Sequence, residues 1–270
     1  MNLKYILFLI SLIAVIYVAI ENNLMLCVRK EKFGKGIKIA HISDLHKRKF
    51  GVDNYKISDK VGEKSPDLIV VSGDIVSRDE KEFSAVENLL RRLSKIAPVY
   101  MINGNHENSL PEDIYLDFEA MISRTNVKIL SNKCEDVNIN GRNLKIYGFE
   151  PSETTYIKNE RYKNLDKITL SDMNETIGKC PSGEVLLIAH NPLFGEVYSQ
   201  WGADFTFSGH VHGGAVRIPF TKIGVLSPER KFFPKYSKGV YNIGKMRLLV
   251  SAGLGKLRLF NPPEIVFYEI

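Results

Sequence analysis

Five short apolar runs in this chain each lead into side chains of the kinds that ligate metals, and this pattern constrains the fold more than any other feature. Residues 37–42 lead into Ser43-Asp44-Leu45-His46, residues 68–71 into Gly73-Asp74, and residues 99–102 into Asn103-Gly104-Asn105-His106-Glu107. Residues 185–189 lead into His190-Asn191-Pro192, and residues 205–207 into Ser208-Gly209-His210-Val211-His212. Between the second and third runs, Phe83, Val86, Leu89, Leu90, Leu93 and Ile96 recur at helical spacing. A second helix is expected over 112–124, strands near 127–130 and 144–148, and closing strands at 248–251 and 265–268. Strands alternating with helices predict an α/β domain, in which loops gather ligands at the carboxyl ends of the strands.

Asp44 and His46 lie two residues apart, so on an extended backbone both point to the same side. Carboxylate oxygen and neutral imidazole nitrogen are both ordinary ligands of a divalent metal. His210 and His212 repeat the spacing, flanked by glycines that let a small site crowd together. The chain has six histidines, and five of them, His46, His106, His190, His210 and His212, fall in these motifs. The sixth, His41, precedes Asp44 by three and in a continuous strand faces the other way, so it is read as structural. The three cysteines, Cys27, Cys134 and Cys180, are widely spaced and indicate neither a disulfide framework nor a thiolate zinc site.

Ahead of these motifs, Lys4 precedes an apolar run over residues 5–20, closed by Glu21-Asn22-Asn23. The exit Val18-Ala19-Ile20-Glu21 offers no small-x-small cleavage site, so residues 1–24 are expected to be an uncleaved membrane anchor rather than a signal peptide. Residues 25–36 read as a charged linker ending in Gly34-Lys35-Gly36, and residues 37–270 as one domain. Lys4 and the basic group Arg29, Lys30, Lys32, Lys35 and Lys38 pull the orientation in opposite directions. Because large domains translocate largely regardless of charge, a single-pass anchor with the domain outside the cell membrane is expected.

A balance of 37 basic against 31 acidic residues, formally +6, favours an anionic partner. The stretch 217–241, with Lys222, Arg230, Lys231, Phe232, Phe233, Lys235, Tyr236 and Lys238, suits an anionic substrate or a membrane surface; a solvated loop with packed aromatics accounts for it equally well. Residues 151–181 are charged and poor in strands, with one short helix expected over 171–177, and form either an insertion over the site or a surface excursion.

Taken together, Asp44-Leu45-His46, Gly73-Asp74, Gly104-Asn105-His106-Glu107, His190 and Gly209-His210-Val211-His212 resemble the five blocks of the calcineurin-like metallophosphoesterase family, in its order. The resemblance begins near Ile37. Residues 209–217, 233–236, 251–255 and 258–265 resemble a bacterial membrane-tethered branch more closely, whereas residues 151–181 match poorly. The resemblance implies a metallophosphoesterase-type β-sandwich flanked by helices (α/β/β/α) and two divalent metal ions, Mn, Fe or Zn. It implies that Asp44, His46 and His212 hold one ion, that Asn105, His190 and His210 hold the other, and that Asp74 bridges them. A metal-bridging hydroxide would attack a phosphate ester in line, with His106 stabilising the transition state or protonating the leaving group. Glu107 either orients His106 or is a solvated surface carboxylate.

The implied activity is phosphoester hydrolysis near the membrane, on a phosphorylated substrate such as a lipid-linked or envelope phosphate. Alternatives are a pyrophosphatase of a nucleotide-linked acylated sugar, a nucleotide phosphodiesterase or nuclease, and an inactive phosphate-binding protein. Nucleic acid is the less expected partner, since no groove of successive exposed aromatics is evident.

Overall fold

The computed structural model describes residues 3–152, 155, 167–221, 223–228 and 230–270. Its first sheet contains β1 (Cys27–Lys32), β2 (Lys38–Ile42), β3 (Leu68–Val71), β4 (Val99–Met101), β5 (Val127–Ile129) and β12 (Glu264–Glu269), in the order β1-β12-β2-β3-β4-β5. The second contains β6 (Cys134–Ile139), β7 (Arg142–Phe149), β8 (Glu184–Ala189), β9 (Phe205–Ser208), β10 (Gly239–Ile243) and β11 (Met246–Val250), in the order β10-β11-β9-β8-β7-β6. Strands β2 to β5 run parallel, as do β7, β8 and β9.

Helices α2 (Tyr55–Gly62), α3 (Ser84–Ile96) and α4 (Glu112–Ser123) cover the outer face of the first sheet. Helices α5 (Leu170–Ile177) and α6 (Gly195–Trp201) cover that of the second. The layers are therefore α/β/β/α. In β3, Leu68 and Val70 face the other sheet while Ile69 and Val71 face the helices. Every position is buried, which is why the sequence shows continuous apolar runs rather than alternation. His41 lies in the layer between the sheets, its ring edge-on to Phe207 and its Nε2 2.8 Å from Ser72 Oγ.

Residues 27–32, expected within a linker, form strand β1 instead. It pairs in parallel with β12 from Cys27↔Glu264 to Lys32↔Glu269. Its charged sequence carries no strand signal, yet an edge strand tolerates charged side chains on its solvated side, and Arg29 is drawn in by Glu264 at 3.2 Å. The short helix expected over 171–177 is α5, started by a capping box in which Thr169 and Asp172 each accept the other's backbone N–H. Much of the expected insertion, 153–154 and 156–166, lies outside the described residues.

Ahead of the sheets stands α1 (Leu3–Asn23). It includes a 20-residue apolar span, Lys4–Asn23, of mean hydropathy 2.1 with 6% of it buried. At 1.5 Å per residue such a span is about 30 Å long, the thickness of a bilayer's hydrocarbon core.

Candidate metal centre

Parallel β2, β3 and β4 end along one edge of the first sheet, parallel β8 and β9 along one edge of the second, and their exit loops meet. Asp44 and His46 follow β2, Asp74 follows β3, and Asn105 and His106 follow β4. From the second sheet, His190 follows β8, and His210 and His212 follow β9. All the expected site residues are brought together here. The local backbone differs from the extended path expected for Asp44 and His46. Asp44 (φ 51°), His46 (φ 50°), Asp74 (φ 54°), His210 (φ 62°) and His212 (φ 53°) all occupy the left-handed region. Such strain persists where surrounding packing imposes it, and it concentrates at functional sites.

Glycines make the close approach possible. A Cβ on Gly209 would overlap the Ser43 hydroxyl and the Asp44 carboxylate, and one on Gly104 would overlap the Asp74 carboxylate. Backbone amides then fix the acids: the His106 N–H donates to Asp74 Oδ1 at 2.8 Å, and the His210 N–H donates to Asp44 Oδ1 at 3.0 Å.

Two donor groups result, one of Asp44, His46, Asp74 and His212, the other of Asp74, His190 and His210. Asp74 belongs to both. His46 Nε2 lies 3.2 Å from His212 Nε2 and 4.0 Å from Asp74 Oδ2; His212 Nε2 lies 3.4 Å from Asp44 Oδ1. On the other side His190 Nε2 lies 3.2 Å from Asp74 Oδ2, and His210 Nδ1 2.9 Å from Asn105 Oδ1. The donor set fits a pair of divalent cations. His190 Nδ1 must donate to the Ser72 carbonyl at 2.7 Å, which aims its buried Nε2 at Asp74 Oδ2 3.2 Å away. A divalent ion taken between nitrogen and carboxylate donors crowded in this way satisfies both kinds at once.

The electrostatics agree with that reading. Burial alone would lower the His190 pKa, but the Asp74 carboxylate overrides it and holds the imidazole up to about 10. Burial likewise opposes ionisation of Asp74, which His190 nevertheless holds well below the usual carboxylate range. His46 is pushed down to about 3, chiefly by burial, so it stands as a neutral donor. His106 is also lowered, first by burial. Its Nδ1 accepts the Arg78 N–H at 3.2 Å, so the neutral ring carries its proton on Nε2.

Glu107 is neither solvated nor in hydrogen-bond contact with the His106 ring. It is fully buried and accepts the backbone N–H groups of Asp74, Val76 and Gly104 at 2.9, 3.0 and 2.7 Å. Desolvation and the neighbouring Asp74 raise it to about 7 against the pull of the Val76 and Gly104 N–H groups. The sequence held no signal for this clamp beyond a carboxylate beside the motif.

His46, Asp74, Asn105, His106, His210 and His212 floor an open cleft of about 670 Å³, whose rim carries Arg78, Arg230 and Lys256 together with Leu226 and Leu257. Arg230 belongs to the basic stretch noted in the sequence. Arg78 and Lys256 had no distinguishing pattern there.

Residues 37–214 match the family model described as calcineurin-like phosphoesterase. Among similar curated proteins, a metallophosphoesterase of Campylobacter jejuni is 28% identical over 87% of this chain, which spans 59% of that relative's length. The UDP-2,3-diacylglucosamine pyrophosphatase LpxG of Chlamydia muridarum is 26% identical over 85% of this chain and 82% of its own. Phosphodiesterase YaeI of Escherichia coli is 28% identical over 86% and 82% respectively. Among solved structures, the sulfate thiohydrolase SoxB of Thermus thermophilus aligns with a TM-score of 0.52 at 13% identity, over 82% of this chain and 52% of its own, a likeness of fold. With the matched region covering all five loops that carry these side chains, the chain belongs to the calcineurin-like phosphoesterase family.

Proposed function

We propose that this protein is a two-ion phosphoester hydrolase acting on an amphiphilic phosphate ester or anhydride at a membrane. The observation that carries the reading is Asp74, shared by two donor groups on the floor of a cationic cleft. Asp44, His46 and His212 would hold one divalent ion, Asn105, His190 and His210 the other, and Asp74 both. When bound, the ions supply Lewis-acid charge for the phosphoryl oxygens and lower the pKa of a water to near neutrality.

The chain's own residues do the rest. Two aspartates against two dications leave a net positive floor, and Asn105 ligates without adding negative charge. His106, neutral and protonated on Nε2, donates to the leaving oxygen or to a phosphoryl oxygen as negative charge develops there, a contribution of about 10²- to 10⁴-fold. Arg78, Arg230 and Lys256 draw the anionic substrate in, while Leu226 and Leu257 accommodate an apolar portion. Helix α1 anchors the chain, with the domain on the outer side of the cell membrane.

A second, finer reading is hydrolysis of the pyrophosphate bond of a nucleotide-linked acylated sugar. It is favoured by the likeness to LpxG along most of both chains. The test is to strip the full chain of metal, reload it with Mn²⁺ or Zn²⁺, and compare a chromogenic phosphodiester, a monoester and an acylated sugar nucleotide. Metal-dependent turnover of any of them supports a hydrolase, and preference for the last supports the finer reading. Silence on all three with two ions bound contradicts both.

A further inference from the structure

The carboxyl end of α1 is built into the rim of the cleft. Glu21 is fully buried, and its carboxylate accepts the backbone N–H groups of Phe260, at 2.9 Å, and Asn261. Asn22 exchanges two hydrogen bonds with the Arg258 backbone, at 2.9 and 2.8 Å. Asn261 in turn donates from Nδ2 to the His212 carbonyl at 2.6 Å, so three residues join the helix to the candidate metal centre. The helix and the domain therefore hold one fixed relation.

That relation sets a depth. The Tyr17 ring packs on Phe260 with centroids 5.2 Å apart. Tyr17 lies six residues before Asn23, about 9 Å along a helix that only just spans the hydrocarbon core. Phe260, and with it the loop carrying Lys256 and the 88%-exposed Leu257, is thus held at or below the level at which the helix leaves the bilayer. The same loop bonds to a hairpin: Arg217 donates to the Leu259 carbonyl at 3.0 Å, and Ile218 to that of Ile223 at 3.1 Å. This hairpin exposes Ile218, Ile223 and Phe220, and the segment after it exposes Phe232 and Phe233 beside Arg230 and Lys231. Exposed apolar side chains with a basic fringe mark an interaction site, and here they lie on a loop, and on the hairpin bonded to it, that is tied to the end of a helix long and apolar enough to cross a membrane.

We propose that the loop 256–260 and the hairpin residues 216–221 and 223–225 form a docking surface for an anionic phospholipid bilayer, on the leaflet at which α1 emerges. The inference rests on α1 being an anchor. Docking sets the mouth of the cleft, lined by Leu226, Arg230, Lys256 and Leu257, at headgroup level. A substrate then keeps its acyl chains in the leaflet while its phosphate reaches the ligand loops.

The test uses the full chain in phosphatidylcholine–phosphatidylglycerol nanodiscs with and without brominated acyl chains. Leu12→Trp, Phe220→Trp and Leu257→Trp are compared one at a time, with buried Trp201 as constant background. The expected result is at least twofold quenching of all three added fluorophores, with Ile218→Glu reversing the quenching of Phe220→Trp and sparing that of Leu12→Trp. Quenching of Leu12→Trp alone overturns the docking surface and leaves the anchor intact. Quenching of none overturns both.

Discussion

Glu107, fully buried, accepts the backbone N–H of Asp74 at 2.9 Å, so a carboxylate outside the cleft fixes the one aspartate common to both donor groups. The same carboxylate also holds Gly104 and Val76, tying the loop after β3 to the loop after β4. Glu107→Gln retains one acceptor oxygen and turns an NH₂ against backbone donors. We expect metal affinity to fall about 10- to 100-fold with the fold retained, read by calorimetry and circular dichroism. Unchanged affinity would show that the clamp does not position Asp74.

In the proposed ligand set, His190 would offer an ion a nitrogen that a proton otherwise holds. With Nδ1 bound to the Ser72 carbonyl and Asp74 raising its pKa to about 10, the ion-free ring is doubly protonated at pH 8. Because the folded value lies above the ordinary one near 6.5, the stability this pair gives the ion-free chain is complete below pH 6.5 and is lost as pH rises through about 10. Ion uptake at pH 8 should release about one proton from this site. Calorimetry in two buffers of different ionisation enthalpy measures it, and His190→Asn should abolish it. Equal heats in both buffers would contradict the assignment.

Behind the site, Glu264 binds Arg29 at 3.2 Å, Lys238 at 2.8 Å and the Ala252 N–H at 3.0 Å. Burial would raise its pKa, but Arg29 and then Lys238 prevail and hold it down to about 2. A depressed carboxylate gives stability that is present above its unfolded pKa and lost as pH falls. The chain should therefore lose up to about 3 kcal/mol between pH 5 and pH 2 from this group. Glu264→Gln should cost about 3 kcal/mol at pH 7 by leaving the part-buried Lys238 without its carboxylate and Arg29 with Glu31 alone, and should flatten the acid limb. Urea titrations at both pH values read it; an unchanged acid limb would remove Glu264 as its source.

His106 donates through Nε2 and lies outside both donor groups. His106→Ala should keep both ions and lose about 10²- to 10⁴-fold in turnover. Metal analysis beside kcat checks this, and loss of an ion would give His106 a ligand role instead.

The parallel strands were legible because both faces are buried and so write themselves as apolar runs, and the candidate ligands because each run ends on one. Strand β1 was not, since Cys27-Val28-Arg29-Lys30-Glu31-Lys32 takes its order from pairing with β12 rather than from its own hydrophobicity. Asp44 and His46 do share a site, but through left-handed turns rather than the strand period. The Glu107 clamp and the Glu21–Asn261 link depend on residues 33 and 240 positions away, which no local pattern encodes.

The central claim is that Asp74 joins two ions into one centre. Titrating metal-free full chain with Mn²⁺, followed by electron paramagnetic resonance and elemental analysis, tests it most directly. We expect two ions per chain with a spin-coupled signal, and in Asp74→Asn at most one ion, uncoupled. Two ions retained without change in Asp74→Asn, or a single uncoupled ion in the native chain, would contradict it.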